Sequence, residues 1–155
     1  MESMILTNET DIYVFFEIID KVEAESILDV GMFLKRVGSV SRQIKDKEIS
    51  GDKTLVGVDF FPEVICPIWN RIYNAVYTPD QLFQKEHTRK YELATVLRLK
   101  DCMSDTEAVT MWKWLKKHVS YLLTDWDFTE ISKVIDVRNE RKITVDDKLY
   151  SFIIM

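Results

Sequence analysis

Two short apolar runs, each closing on an aspartate, constrain this chain more than any other feature: Ser26-Ile27-Leu28-Asp29-Val30-Gly31 and Thr54-Leu55-Val56-Gly57-Val58-Asp59. A strand inside a parallel sheet is covered on both faces, so it reads as a continuous apolar run. Asp29 and Asp59 stand thirty residues apart, which fits strand, turn, helix and second strand. The pair predicts a βαβ unit with a carboxylate at the tip of each strand, and open α/β sheets take their ligands beyond those carboxyl ends. Between the runs, where a phosphate cradle would need glycines, the chain has Gly31-Met32-Phe33-Leu34-Lys35-Arg36-Val37-Gly38.

Bulk properties set the frame. A chain of 155 residues is long enough for one real core and too short for two ordinary ones, so a single domain over 1–155 is expected. The net charge of -5 disfavours a general nucleic-acid binder, which usually carries a basic face. Cys66 and Cys102 sit apart, without a CxxC pair or a nearby histidine. They read as reduced, buried thiols rather than a disulfide framework or a metal site. The start of the chain lacks a signal-like segment. The longest apolar stretches, Ile12 to Ile19 and Ser151 to Met155, fall far short of the ~20 residues of a membrane span. A cytoplasmic protein with no membrane partner and no metal is the expectation.

Along the chain, Thr7 to Thr10 is a polar, cap-rich patch, and Ile12, Phe15, Phe16, Ile19 and Val22 recur behind it at helical spacing. They predict a first helix running to about Ala24. Val37, Val40 and Ile44 share a second helical face, and Ser50-Gly51-Asp52-Lys53 reads as a turn. Ile72 to Tyr77 reads as a third strand, Thr78-Pro79-Asp80 as a helix start with proline at the first position, and Leu93 to Leu99 as a fourth strand. Ser104-Asp105-Thr106-Glu107 is a capping box opening a helix to Lys116-Lys117-His118. Val119 to Thr124 is a fifth strand, and Asp127-Phe128-Thr129-Glu130 repeats the capping pattern. Val134 to Met155 alternates like β structure, with a hairpin turn near Asp146-Asp147-Lys148. Strand and helix alternate and then end in antiparallel β. This order predicts a doubly wound, mostly parallel α/β sheet with a C-terminal antiparallel β-hairpin, a three-layer sandwich.

This order resembles the class I S-adenosylmethionine-dependent methyltransferase fold. Ile27-Leu28-Asp29-Val30-Gly31 is similar to the start of that family's first motif, hydrophobic-hydrophobic-acidic-x-Gly. Leu55 to Glu63 is similar to its second strand and acidic tip, Tyr91 to Leu99 to its fourth strand, and Tyr121 to Asp125 to its fifth. The resemblance implies S-adenosylmethionine as cofactor. Gly31 would let the backbone approach its methionine part, and Asp29 would lie beneath its amino group. Asp59 would accept from both ribose hydroxyls and Phe60 would lie along the adenine. Leu99 to Cys102 would face the reacting methyl, and Gly38 would stand for the motif's last glycine. Where the family has its second glycine this chain has Phe33.

Two functions follow as expectations: a divergent methyltransferase acting on an unknown small-molecule or protein acceptor, and a non-catalytic descendant serving as an interaction or small-ligand module. No catalytic base is named, since positioning alone can carry methyl transfer. Lys35 and Arg36 offer a weaker third reading, an anion held beside a helix N-terminus. Trp112 and Trp114 lie two apart on a helix, so one is expected in the core and the other at a rim. With Trp69, Tyr73, Tyr77 and Trp126 they suggest an apolar groove or a homodimer surface. His87 and His118 read as solvated, and Ser39 and Ser41 lie outside any nucleophile elbow. The apolar tail Phe152 to Met155 either finishes a central strand or pairs with a second chain.

Overall fold

The computed structural model describes residues 2–32, 54–60, 73–83 and 90–155, with side chains omitted for 2–10 and 12. The expectations for Phe33, Lys35, Arg36, Gly38, Ser39, Ser41, Cys66, Trp69 and His87, and for the helix through Val37, Val40 and Ile44, lie outside the described residues.

The described elements are α1 (Glu2–Val22), β1 (Ser26–Val30), β2 (Thr54–Val58), β3 (Ala75–Tyr77), α2 (Pro79–Phe83), β4 (Tyr91–Val96), α3 (Asp105–His118), β5 (Val119–Thr124), α4 (Phe128–Ser132), β6 (Arg138–Val145) and β7 (Lys148–Ile154). They build one seven-stranded sheet in the order β3-β2-β1-β4-β5-β7-β6. The strands from β3 to β5 run parallel, while β7 is antiparallel to both β5 and β6. The order reverses between β1 and β4, which is where an open sheet of this kind leaves a crevice for ligands.

Alternation along each strand sorts its side chains to two faces. Ile27, Leu55, Leu93, Leu123 and Phe152 meet Val14, Phe15, Ile18 and Ile19 of α1 on one face. Leu28, Val56, Ala94, Leu122 and Ile153 meet Met111, Trp112 and Leu115 of α3 on the other. The C-terminal tail is consumed as the central strand β7, paired on both sides.

Local signals set several boundaries. Ser104 caps α3 in a full capping box: Glu107 N donates to Ser104 Oγ at 3.2 Å, and Ser104 N donates to Glu107 Oε1 at 3.0 Å. Those bonds hold the Glu107 carboxyl below the usual range. Ser104→Ala is expected to lower stability by about 1 kcal/mol and the melting temperature by about 2–4 °C, read by thermal unfolding. The hairpin turns on Asp146 and Asp147, at φ 50° and 64°, the left-handed pair that a two-residue turn demands.

Other expectations need correction. Helix α1 begins at Glu2, before the polar patch; without proline or glycine in that stretch, the caps are too weak to delay it. Strand β3 starts at Ala75 rather than Ile72, since Asn74 is drawn off to β2, where Leu55 N donates to its Oδ1 at 2.7 Å, and Tyr73 to Asp29 of β1. Strand β4 ends at Val96 rather than Leu99, because Arg98 turns left-handed at φ 61°. The hairpin begins at Arg138 rather than Val134. Asp127 caps α4 through Thr129 N at 3.0 Å, but Glu130 pairs with Lys100 at 3.4 Å instead of completing a box.

Trp112 and Trp114 are both buried, because the apolar arc of α3 is broad enough for two. Trp112 meets the edge of Trp126 at 5.4 Å, and Trp114 lies against Phe83 at 5.4 Å and stacks on His118 at 4.1 Å. His118 is therefore half-buried, with Nδ1 2.8 Å from Trp114 O, and not solvated. Cys102 is exposed rather than buried, since it falls in the short 3₁₀ turn Lys100–Cys102 that leaves β4.

Candidate functional site

Asp29 and Asp59 stand at neighbouring strand tips on the carboxyl edge, and their surroundings differ. Asp29 is fully buried and accepts two hydroxyl donors, Tyr73 Oη at 2.6 Å and Thr95 Oγ1 at 3.0 Å. Thr95 is its register partner on β4, and Gly57 its partner on β2. A Cβ on Gly57 would lie 2.8 Å from Met32 Cγ and 3.0 Å from the Tyr73 ring. The glycine is the gap through which Tyr73 crosses β2 to reach Asp29. The residues around Asp29 that sequence reasoning missed are thus Gly57, Tyr73 and Thr95; a glycine inside a strand was the available signal.

At the same tip, Gly31 turns the chain at φ 88°, its N–H donating to Val58 O at 2.8 Å. A Cβ there would meet Leu99 Cδ2 at 2.5 Å. Leu99, itself fully buried, thus occupies the space a side chain at 31 would take. Met32 follows at φ 51°, also fully buried.

The tip of β2 is more open. Asp59 is buried, its N–H donating to Tyr77 O at 2.8 Å. One residue on, half-buried Phe60 forms a wall of a cleft of about 200 Å³. Pro79, Asp80 and Phe83 of α2, Met103, and Thr106, Glu107, Thr110 and Met111 of α3 complete it. Phe60, Pro79, Phe83, Met103 and Met111 give it apolar and aromatic walls, and the carboxylates of Asp80 and Glu107 and the hydroxyls of Thr106 and Thr110 belong to residues that line it as well. That volume lies below the roughly 300–1,000 Å³ of pockets holding a whole drug-sized ligand. The cleft has room for one flat ring system.

A charged cluster joins α1 to the same edge. Asp11 is 1% exposed and accepts from Arg98 Nε at 2.6 Å, Lys148 Nζ at 2.9 Å and Tyr150 Oη. Asp125 accepts from Arg98 N at 3.0 Å and lies 3.6 Å from Lys148 Nζ. Burial pushes the Asp125 carboxyl up, and burial together with the Asp11 carboxylate raises the Tyr150 hydroxyl. Among the described residues, no cluster of histidine, cysteine, aspartate and glutamate is placed to hold a metal ion, and no helix is long and apolar enough to cross a membrane.

No protein-family model matches the sequence, and no curated protein matches it. Solved structures do. The methyltransferase domain of bacterial CtHen1-CN is similar with a TM-score of 0.68 at 12% identity, over 96% of this chain and 98% of that one. The N-methyltransferase NodS from Bradyrhizobium japonicum WM9 gives 0.57 at 12% identity, over 96% of each chain. The tRNA (uracil-54, C5)-methyltransferase of Pyrococcus abyssi, solved with S-adenosyl-L-homocysteine, gives 0.58 at 14% identity, over 92% of this chain and 37% of that one. The chain has a class I methyltransferase-like fold, in agreement with the strand order and with the resemblance read from its motifs.

Proposed function

We propose that this chain binds S-adenosylmethionine across the carboxyl edge of its sheet and acts as a divergent methyltransferase on an unidentified acceptor. One observation carries the reading: the cleft opens one residue past Asp59, at the edge where sheets of this type take ligands. Phe60, Phe83, Met103 and Met111 offer a flat apolar slot for the adenine. Asp59 offers two acceptor oxygens to the paired ribose hydroxyls. Gly31 keeps the turn at the β1 tip tight. When bound, the cofactor supplies a methyl group on a sulfonium; the chain's own part is to orient it and exclude water.

Leu99 favours a second reading. It stands just past β4, where the resemblance places the transferred methyl, and it is an apolar side chain closed against Gly31. Such a tip suits a module that holds the cofactor without transferring from it.

Isothermal titration with S-adenosylhomocysteine tests the shared premise. Micromolar binding is expected, weakened by about tenfold or more in Asp59→Ala, as removal of a two-acceptor contact implies. Absence of binding by the native chain sinks both cofactor readings. Binding without transfer to any offered acceptor selects the second.

A further inference from the structure

Three donors carried by the sheet converge on one carboxylate that the sheet does not supply. Arg98 Nε, just past β4, donates to Asp11 Oδ2 at 2.6 Å. Lys148 Nζ and Tyr150 Oη, both of β7, donate to Asp11 Oδ1, the lysine at 2.9 Å. Asp11 belongs to α1, and Tyr150 packs in the α1 layer, whereas the cleft lies in the α3 layer on the other face. The sheet side of the cluster thus offers two cations and a hydroxyl at one point. Asp125, 3.6 Å from Lys148 Nζ, offsets one of the two charges. Asp11 engages the Arg98 guanidinium through Nε, while Nη2 is buried and meets no partner among the described residues. A carboxylate free of the α1 backbone can take both nitrogens, the two-pronged geometry in which arginine binds carboxylates most strongly.

We infer that Arg98, Lys148 and Tyr150 form a carboxylate-binding socket, with Asp11 as its built-in ligand. The site is one that α1 keeps closed, and an external carboxylate enters it only as Asp11 leaves. The tether gives Asp11 a high effective concentration, so the native socket stays closed to small free ions. Removing the Asp11 carboxyl leaves Arg98 and Lys148 facing a single carboxylate, Asp125, and a free anion restores the balance.

Thermal unfolding of the full chain carrying Asp11→Ala tests it, with formate as the probe because it matches the carboxyl group removed. Sodium formate at about 0.1 M is expected to raise the melting temperature by about 3–6 °C over the same concentration of sodium chloride, as a dissociation constant of about 10 mM implies. The native chain should show no such difference between the two salts. Asp11→Ala with Lys148→Met leaves one unpaired cation fewer and serves if the single variant does not fold. Formate should raise its melting temperature as well, through the two nitrogens of Arg98. Arg98→Met added to either variant should abolish the response. Formate that stabilises neither variant beyond chloride overturns the socket. A rise that survives Arg98→Met, or an equal rise in the native chain, also overturns it, since formate would then be acting elsewhere.

Discussion

Asp11→Ala is expected to destabilise the fold by about 3–5 kcal/mol, the range for removing one partner from a buried charge cluster. The carboxylate is 1% exposed and bonds to Arg98, Lys148 and Tyr150. The side chains of Arg98 and Lys148 are 21% and 24% exposed. Without the carboxylate, two largely buried cations would face each other and the Tyr150 hydroxyl would lose its acceptor. Urea unfolding measures the loss, and a triple variant separates charge from shape. Asp11→Leu with Arg98→Met and Lys148→Met removes the charges that meet at Asp11 while Asp125 keeps its bond from Arg98 N, and apolar replacement of a buried ionic group is often close to neutral. The triple variant should recover most of the stability lost by the single one. A single variant within about 1 kcal/mol of the native chain would mean that water screens the cluster as it does a surface pair. The contrast is Lys100 and Glu130, at 56% and 48% exposure, whose loss should barely register.

Asp11 also marks where the sequence becomes silent. Its partners lie 87, 137 and 139 residues away, so nothing local announces them. An aspartate in an amphipathic helix looks like any solvated charge. Signals confined to one turn read well: the capping box at Ser104, the aspartate pair of the hairpin, and the apolar runs of β1, β2 and β5. Side-chain fate read less well. Tyr73 counted as part of an aromatic surplus that implied a groove or a dimer surface, yet it is spent inside the sheet on Asp29. Trp114 and Trp126 are likewise consumed by the α3 face. The aromatics that do reach a cleft lay outside that surplus: Phe60, expected along the adenine, and Phe83, which no motif pointed to.

The strand-tip aspartates were legible as positions, but their roles depend on neighbours that spacing cannot supply. Asp29 has Thr95 beside it only because β1 and β4 pair in that register. Tyr73 arrives only because Gly57 leaves room. A change of either neighbour would alter what Asp29 can accept without touching the first motif at all. The resemblance carried the fold correctly because strand order follows from burial, which many sequences satisfy. Site chemistry depends on single contacts, and those diverge first.

Gly31→Ala separates two explanations of the most motif-like residue in the chain. One holds that the glycine is there for a cofactor lying against the backbone, the other that the fold itself demands it. The geometry supports the second: φ is 88°, and the new Cβ would sit 2.5–2.9 Å from three carbons of Leu99. A left-handed L-residue costs roughly 1–2 kcal/mol, and overpacking a closed site roughly 1–3 kcal/mol more. A loss of about 2–5 kcal/mol is therefore expected in the ligand-free chain. Leu99→Ala alone should cost about 2–5 kcal/mol through the cavity it opens. In the double variant, the smaller side chain at 99 makes room for the Cβ, while the backbone strain remains. The pair should thus be more stable than the sum of its parts by about 1–3 kcal/mol, the coupling a double-mutant cycle isolates for residues in contact. If instead Gly31→Ala left stability unchanged and abolished S-adenosylhomocysteine binding, the contact with Leu99 would be incidental and the glycine would belong to the ligand. Stability lost with coupling to Leu99 assigns it to the turn, and the proposed hold on a cofactor then rests on Asp59 and the cleft beyond it.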